Sequence, residues 1–353
     1  MRILITGICG FVGQVLARAL AEQLPGLELC GLDNLIRPGS EQNRRSLAKL
    51  VKFFHADVRS ASDMEGLPPA DWVLDAAANA SVLAGMEHPG ASRQLVEHNL
   101  DGTINLLEYC RRHQAGLILL STSRVYSIEP LASLEMVVQN SAFQPRPEQA
   151  WPAGCSTRGI VESFSTQPPL SLYGSTKLAS EILALEYGAA FGLPVWINRC
   201  GVLAGAGQFG RADQGIFSYW IHAYAARRPL KYIGFDGQGC QVRDCLHPSD
   251  LAPVLARQMR SPSSRPEPPL HFGGGIENSM SLAQLSDWCS RRFGPHPIDA
   301  DPKPRPFDLP WVVLDSGAAA KRWGWRPQHK LPAILEEIAG HAEALPDWLD
   351  LTS

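Results

Sequence analysis

The 353-residue sequence has no Cys-x-x-Cys pair and no histidine cluster at zinc-ligand spacing, although it carries eight cysteines and ten histidines. A zinc-organised fold and a thiol redox pair are therefore not expected, and neither is any metal in the site. Runs of lysine or arginine are missing too, and a formal net charge of −3 gives no general attraction to nucleic acid or to an anionic membrane. Any anionic ligand must be held by local groups. Nor does any stretch approach the roughly 18 uninterrupted apolar residues that a membrane span requires. The apolar start, residues 1–20, is broken by glycines and runs on into Ala-Arg-Ala-Leu-Ala-Glu, so it reads as strand, loop and helix rather than a leader. A cytoplasmic protein is expected.

What the chain does have is 45% hydrophobic residues, enough for a large buried core, and a length that suits two lobes with a cleft. The scattered cysteines (Cys9, Cys30, Cys110, Cys155, Cys200, Cys240, Cys245 and Cys289) read as small buried packing residues. Cys155, in a glycine-containing loop, is the one set where it could meet a ligand. In the first half, β-branched runs alternate with amphipathic stretches, the pattern of βαβ units and a parallel sheet. Strands are expected at 2–6, 27–33, 53–56, 72–76, 116–121 and 195–198, and helices at 12–23, 93–113 and 173–191. The fold class is α/β, a Rossmann-type doubly wound parallel sheet with a smaller C-terminal substrate-binding lobe. Residues 1–204, with 241–256 returning, form the expected dinucleotide domain; 205–240 and 257–353 form the lobe, closed by a helix at 331–344. The interval 127–169 shows little periodicity and reads as a long loop, and 260–269 as a polar linker.

Gly7, Gly10 and Gly13 follow the first strand and open the first helix. Glycines at this spacing let the backbone approach a pyrophosphate at a helix N-terminus, although structural glycines at a tight turn would look the same. The second strand ends in Asp33, about 20 residues on, where a carboxylate can accept bonds from ribose hydroxyls. That carboxylate would repel a 2′-phosphate, so NAD is expected over NADP, with Arg37 nearby as the opposing charge. Asp57 and Val58 are placed to meet the adenine, and Ala76, Ala77 and Ala78 supply small residues beneath the cofactor. Phe11, Val12, Asn34 and Asn99 complete the expected cofactor set.

Thr122 stands just past the fifth strand, and Tyr173 and Lys177 are four apart on an expected helix, hence on one face. A phenol of reference pKa about 10 is a poor base at neutral pH, but an adjacent ammonium and the positive nicotinamide ring favour the phenolate. Tyr173 could then remove a hydroxyl proton, Thr122 would share the same oxygen, and Lys177 would also hold the nicotinamide ribose. Downstream, Arg243 and Arg305 are candidates for a diphosphate clamp, because planar guanidinium binds phosphate oxygens in bidentate fashion.

Taken together, Ile-Thr-Gly-Ile-Cys-Gly-Phe-Val-Gly at the start, Asp33-Asn34-Leu35, Ser-Thr-Ser-Arg-Val-Tyr at 121–126, Ser-Leu-Tyr-Gly-Ser-Thr-Lys at 171–177 and Lys-Arg-Trp-Gly-Trp-Arg-Pro at 321–327 resemble the extended short-chain dehydrogenases/reductases. The likeness is to their nucleotide-sugar epimerase/dehydratase group and covers nearly the whole chain. Residues 159–162, 207–215 and 237–244 are similar to a subgroup that epimerises CDP-dideoxyhexoses at C2. The resemblance implies tightly held NAD, Thr122, Tyr173 and Lys177 as catalytic residues, and Ser123, Arg124, Cys200, Gln208, Gln214, Arg243, Arg305 and Asp308 against the substrate. It departs from the dehydratases, which carry Asp-Glu after the threonine where this chain has Ser123-Arg124, so elimination is disfavoured. Val202 stands where many 4-epimerases have Asn, and Ser123-Arg124 also replaces the Asn-Lys of the 2-epimerase pattern.

The residues leave open a UDP-sugar 4-epimerase, an NAD(P)-dependent sugar reductase and a non-catalytic dinucleotide-binding scaffold. The resemblance also implies a homodimer or homotetramer packed through the 93–113 and 173–191 helices, an expectation that gel filtration returning a monomer would remove.

Overall fold

The computed structural model describes residues 1–263 and 267–352. The chain divides into two compact units, each gathered from three segments. The first holds 1–125, 172–199 and 248–270, and the second 126–171, 200–247 and 271–353. This division differs from the expected one. Residues 126–171 join the second unit, which therefore gathers more chain than a small lobe, and only the part after His247 of the expected 241–256 return lies in the first.

The first unit is built on β1 (Arg2–Thr6), β2 (Glu28–Asp33), β3 (Lys52–His55), β4 (Trp72–Asp75) and β5 (Gly116–Thr122). With Val195–Cys200 and Leu270–Phe272 they form a seven-stranded sheet in the order Leu270–Phe272, Val195–Cys200, β5, β4, β1, β2, β3. The pairings among β1 to β5 are parallel. This is the doubly wound order, in which the sequence of strands reverses beside β1 and ligands collect at the carboxyl ends of the strands. The strands are nearly continuous apolar runs because helices cover both faces. Leu4, Val73, Leu107, Leu117, Leu119 and Val195 are among the residues of one buried cluster. Each such side chain contributes roughly 1.5–3 kcal/mol by leaving water.

Helix α1 (Phe11–Gln23) and the Leu172–Phe191 helix form where expected, each within one residue. The 93–113 stretch is three pieces rather than one helix. Ala91–Val96 is α-helical, Glu97–Asp101 is a π-helical turn, and Gly102–His113 is α-helical again. A π turn shifts the register of the side chains it carries, which is how such turns come to serve functional sites. The sequence reading also passed over a polar helix, Ser40–Leu47, which lacks an apolar stripe and is laced by Arg44 and Arg45 on Glu41.

In the second unit Val202–Leu203, Val242–Leu246, Ser279–Ser281 and Trp311–Val312 make one sheet, and Leu230–Ile233 with Ile298–Asp301 another. Ile216–Ala225, Leu282–Phe293 and Leu331–Ala344 pack into a core that includes Trp220, Ile221, Tyr224, Leu285, Ile334 and Ile338. The 331–344 helix has the bounds expected of it. The interval 127–169 is not a plain loop. It contains a short helix, Ile128–Ala132, the antiparallel hairpin Met136–Gln139/Ala142–Pro145, and a small ladder, Cys155–Ser156/Gly159–Ile160. Of the expected 260–269 linker, Arg260 ends a helix and residues 264–266 lie outside the described residues. Among the described residues, no helix is long and apolar enough to cross a membrane.

Candidate active site

At the end of β1 the chain turns through Gly7, whose φ of +60° suits glycine. A Cβ at Gly13 would sit 2.3 Å from the Gly7 carbonyl oxygen, so the first turn of α1 can close on the loop only without a side chain there. Gly10 caps α1 with no side-chain hydrogen bond, and no acidic residue occupies the first turn. The amide ends of the helix are thus left to attract an anion. The Thr6 hydroxyl donates to Asp75 at 2.6 Å and accepts from the amides of Ala76 and Ala77 at 3.1 and 3.0 Å, which fixes the alanine strip beside the glycine turn.

Asp33 accepts from the Cys9 amide at 3.0 Å and the Leu35 amide at 2.8 Å. Burial raises its pKa from the ordinary carboxylate range, and those two amides pull the other way. Asp57 is otherwise engaged: Arg59 grips it at 2.6 and 3.0 Å and Asn34 donates at 2.9 Å. The Arg59 guanidinium holds its carboxyl well below the usual range. Asp57 therefore fastens the loops after β2 and β3 together, while Val58 is buried against Gly102. The Arg37 carbonyl accepts from Ser40, fixing the turn after β2.

Tyr173 and Lys177 lie on the Leu172–Phe191 helix, which packs on β5 and on the turn that follows Thr122. Both are buried, Lys177 to 3% exposure. Among the described residues its ammonium has no hydrogen bond or ion pair. With no protein acceptor on it, this ammonium is left to a ligand that supplies oxygen acceptors. The Thr122 hydroxyl oxygen accepts from the Arg124 amide at 3.2 Å, which leaves its own proton to donate elsewhere.

Asn99 sits in the π turn and is fully occupied. Its oxygen accepts from the Asn79 amide at 2.9 Å and its nitrogen donates to the Asn79 carbonyl and the Thr176 hydroxyl, both at 3.1 Å. Asn99 thus ties the segment after β4 to the helix of Tyr173. Sequence reasoning missed a further buried group, Glu181 with Arg199, at 2.6 Å, and Ser121, whose hydroxyl donates to Glu181. The signal was present, since Glu181 follows Lys177 by one helical step of four and Ser121 precedes Thr122.

In the second unit Arg243 donates to Asp308 at 2.7 Å and to the Val242 carbonyl at 2.7 Å. Burial, reinforced by the charge of Arg305, lowers the Arg243 pKa from its usual value against the pull of Asp308. Arg305 reaches the Ala212 carbonyl at 3.4 Å. Asp308 and the buried Asp244 both act on Arg243 against the charge of Arg305. Gln208 donates to the Leu203 carbonyl at 2.8 Å while its side-chain oxygen is buried without a hydrogen bond, and Gln214 closes a turn with Arg211. Cys200 is buried, and burial pushes the Cys155 thiol up to about 11, so it stays a neutral packing group near pH 7.

The glycine cradle, the uncapped helix and the unpartnered Lys177 ammonium fit a dinucleotide. Residues 3–271 match the model of the NAD dependent epimerase/dehydratase family. The chain is 30% identical to a CDP-paratose 2-epimerase of Salmonella typhi over 93% of its own length and 95% of that protein's. It is 26% identical to a UDP-glucose 4-epimerase of Corynebacterium glutamicum, covering 98% and 97%. Among solved structures, the NAD complex of the Thermus thermophilus UDP-glucose 4-epimerase superposes with a TM-score of 0.76 at 26% identity, covering 97% and 99%. A UDP-glucuronic acid 4-epimerase of Bacillus cereus, at 23% identity, shares the fold with a TM-score of 0.78 over 98% and 100%. The chain belongs to the NAD dependent epimerase/dehydratase family and is an NAD-dependent enzyme.

Proposed function

We propose that the protein epimerises a nucleotide-diphosphate sugar, inverting C2 of a CDP-linked sugar with no net oxidation. The observation that carries the reading is Lys177, 3% exposed, one helical step from Tyr173 on a helix packed against the strand that ends in Thr122. NAD, when bound, supplies a hydride acceptor that can give the hydride back. Lys177 holds the nicotinamide ribose and favours the phenolate of Tyr173. Tyr173 takes the proton from the sugar hydroxyl as the carbon is oxidised, and Thr122 donates to the same oxygen. After the keto sugar has turned its other face, Tyr173 returns the proton to that oxygen. Gly7, Gly10 and Gly13 seat the pyrophosphate and Asp33 the adenosine ribose, while Arg243 and Arg305 clamp the substrate diphosphate.

The choice of C2 and of cytidine is supported by the match to the Salmonella typhi enzyme over nearly all of both chains. A UDP-sugar 4-epimerase is the second reading, supported by the Corynebacterium glutamicum relative. Ser123-Arg124, in place of an acidic pair, speaks against elimination. A thermal-shift panel of CDP-, UDP-, GDP- and dTDP-sugars separates these readings. At a ligand concentration of 100 Kd, selective binding stabilises the native state by about 2.7 kcal/mol. The CDP-sugars should give the largest shift, and a larger shift with UDP-sugars would turn the assignment to the 4-epimerase.

A further inference from the structure

The Leu172–Phe191 helix carries three buried residues in steps of four: Tyr173, Lys177 and Glu181. Lysine and glutamate so spaced share a helix face and attract one another. Here they are not paired. Arg199 holds Glu181 through contacts of 3.0, 3.2 and 2.6 Å, with side-chain exposures of 7% and 2%, and Ser121 donates to the same carboxylate.

We infer that Arg199 acts as a decoy cation: by satisfying Glu181 it keeps the Lys177 ammonium from turning one step along the helix into an internal ion pair. The inference rests on the roles proposed above for Tyr173 and Lys177, and it makes Glu181 and Arg199 positioning residues. A bidentate guanidinium is the cation best matched to a carboxylate, so a lysine cannot displace it. Ser121 adds a donor from the residue before Thr122, which anchors the same carboxylate to the strand end.

The other titratable groups on the elements packed against this helix are placed elsewhere. Arg93 pairs with Glu97, Arg112 pairs with Glu65, and Glu108 accepts from Tyr187 and pairs with Arg111. His98, Asp101, Tyr109, Cys110, His113 and Arg124 complete that set, and among the described residues none is bonded to Lys177.

The test compares the unmodified enzyme with Arg199→Met and with Glu181→Gln/Arg199→Met, in which neither charge remains. Two quantities are read: the affinity of cofactor-stripped protein for NAD by calorimetry, and the pH profile of kcat with KM for the sugar. In Arg199→Met, the freed carboxylate captures Lys177, so NAD binds about tenfold more weakly and kcat falls by about 30-fold, while KM stays within about twofold. The acid limb of the kcat profile moves to higher pH. In the double variant each quantity returns to within about threefold of the unmodified enzyme.

Two results would overturn the inference. One is Arg199→Met with unmodified NAD affinity and pH profile; the other is a folded double variant as impaired as Arg199→Met. Should Arg199→Met fail to fold, the double variant alone decides in the same way. The NAD affinities test the capture of Lys177 without reference to the sugar chemistry, so a failure of the epimerase reading is seen separately.

Discussion

Two ion pairs, one in each unit, have nearly the same length and different surroundings, the first buried and the second partly buried. Glu181–Arg199 spans 2.6 Å and Arg243–Asp308 spans 2.7 Å. In the first, the carboxylate is held by the Arg199 guanidinium and by the Ser121 hydroxyl. In the second, burial lowers the Arg243 pKa, the carboxylates of Asp308 and Asp244 pull against it, and Arg305 adds a second positive charge. Balanced charge in a dry interior has nothing left to offer a ligand and serves to fix elements in place. A partly exposed guanidinium beside a second cation can still take an anion. On this contrast we propose that the first pair belongs to the scaffold of the chemistry and the second to the grip on substrate phosphate.

Breaking the balanced pair should have the larger effect on stability. Glu181→Leu takes the carboxylate from a buried guanidinium and should cost about 3–5 kcal/mol in urea unfolding of the enzyme. A loss near zero would mean that the pair is not the anchor described. The buried Asp244 sharpens the contrast, because desolvation pushes its pKa up to about 6 although backbone amides donate to it. Its folded pKa exceeds its unfolded one, so the native state holds the proton longer. Stability from this group is fully present below about pH 4 and is lost as pH rises to about 6. Asp244→Asn should therefore gain on the unmodified protein by roughly 2 kcal/mol between pH 4 and pH 7. A difference that does not change with pH contradicts that account. Arg305→Leu should have the smallest effect on the fold, with a melting temperature within about 2 °C and KM for the nucleotide sugar raised about tenfold. Unchanged KM would remove Arg305 from the clamp.

The parts of this arrangement differ in how far the sequence discloses them. β1 has the bounds its apolar run implied, since a strand covered on both faces must be apolar throughout. The π turn at Glu97–Asp101 was not legible, because its cause is tertiary: Asn99 reaches both Asn79 and Thr176. The Met136–Gln139/Ala142–Pro145 hairpin was hidden by its turn. Asn140 and Ser141 both take positive φ, 51° and 59°, as a two-residue hairpin turn requires, but Asn-Ser lacks the glycine that usually announces it. Their carbonyls accept from Gln284 and Ser281, distant side chains that help hold the turn. Tyr173, Lys177 and Asp33 were singled out by their spacing joined to the glycine turn and to Thr122 at the end of the fifth strand. Glu181 could have been placed by its step of four from Lys177, but its pairing with Arg199 could not, for a bond between a helix and a strand has no pattern of its own until both are placed.

The central claim is that the Tyr173 phenol moves the proton of the sugar hydroxyl. Its most direct test is turnover of a CDP-linked 2-epimerase substrate by Tyr173→Phe, followed by NMR of the sugar, with nucleotide-sugar affinity measured beside it. The account predicts kcat lower by about 10²–10⁴-fold with binding little changed. Near-normal turnover by Tyr173→Phe would contradict it.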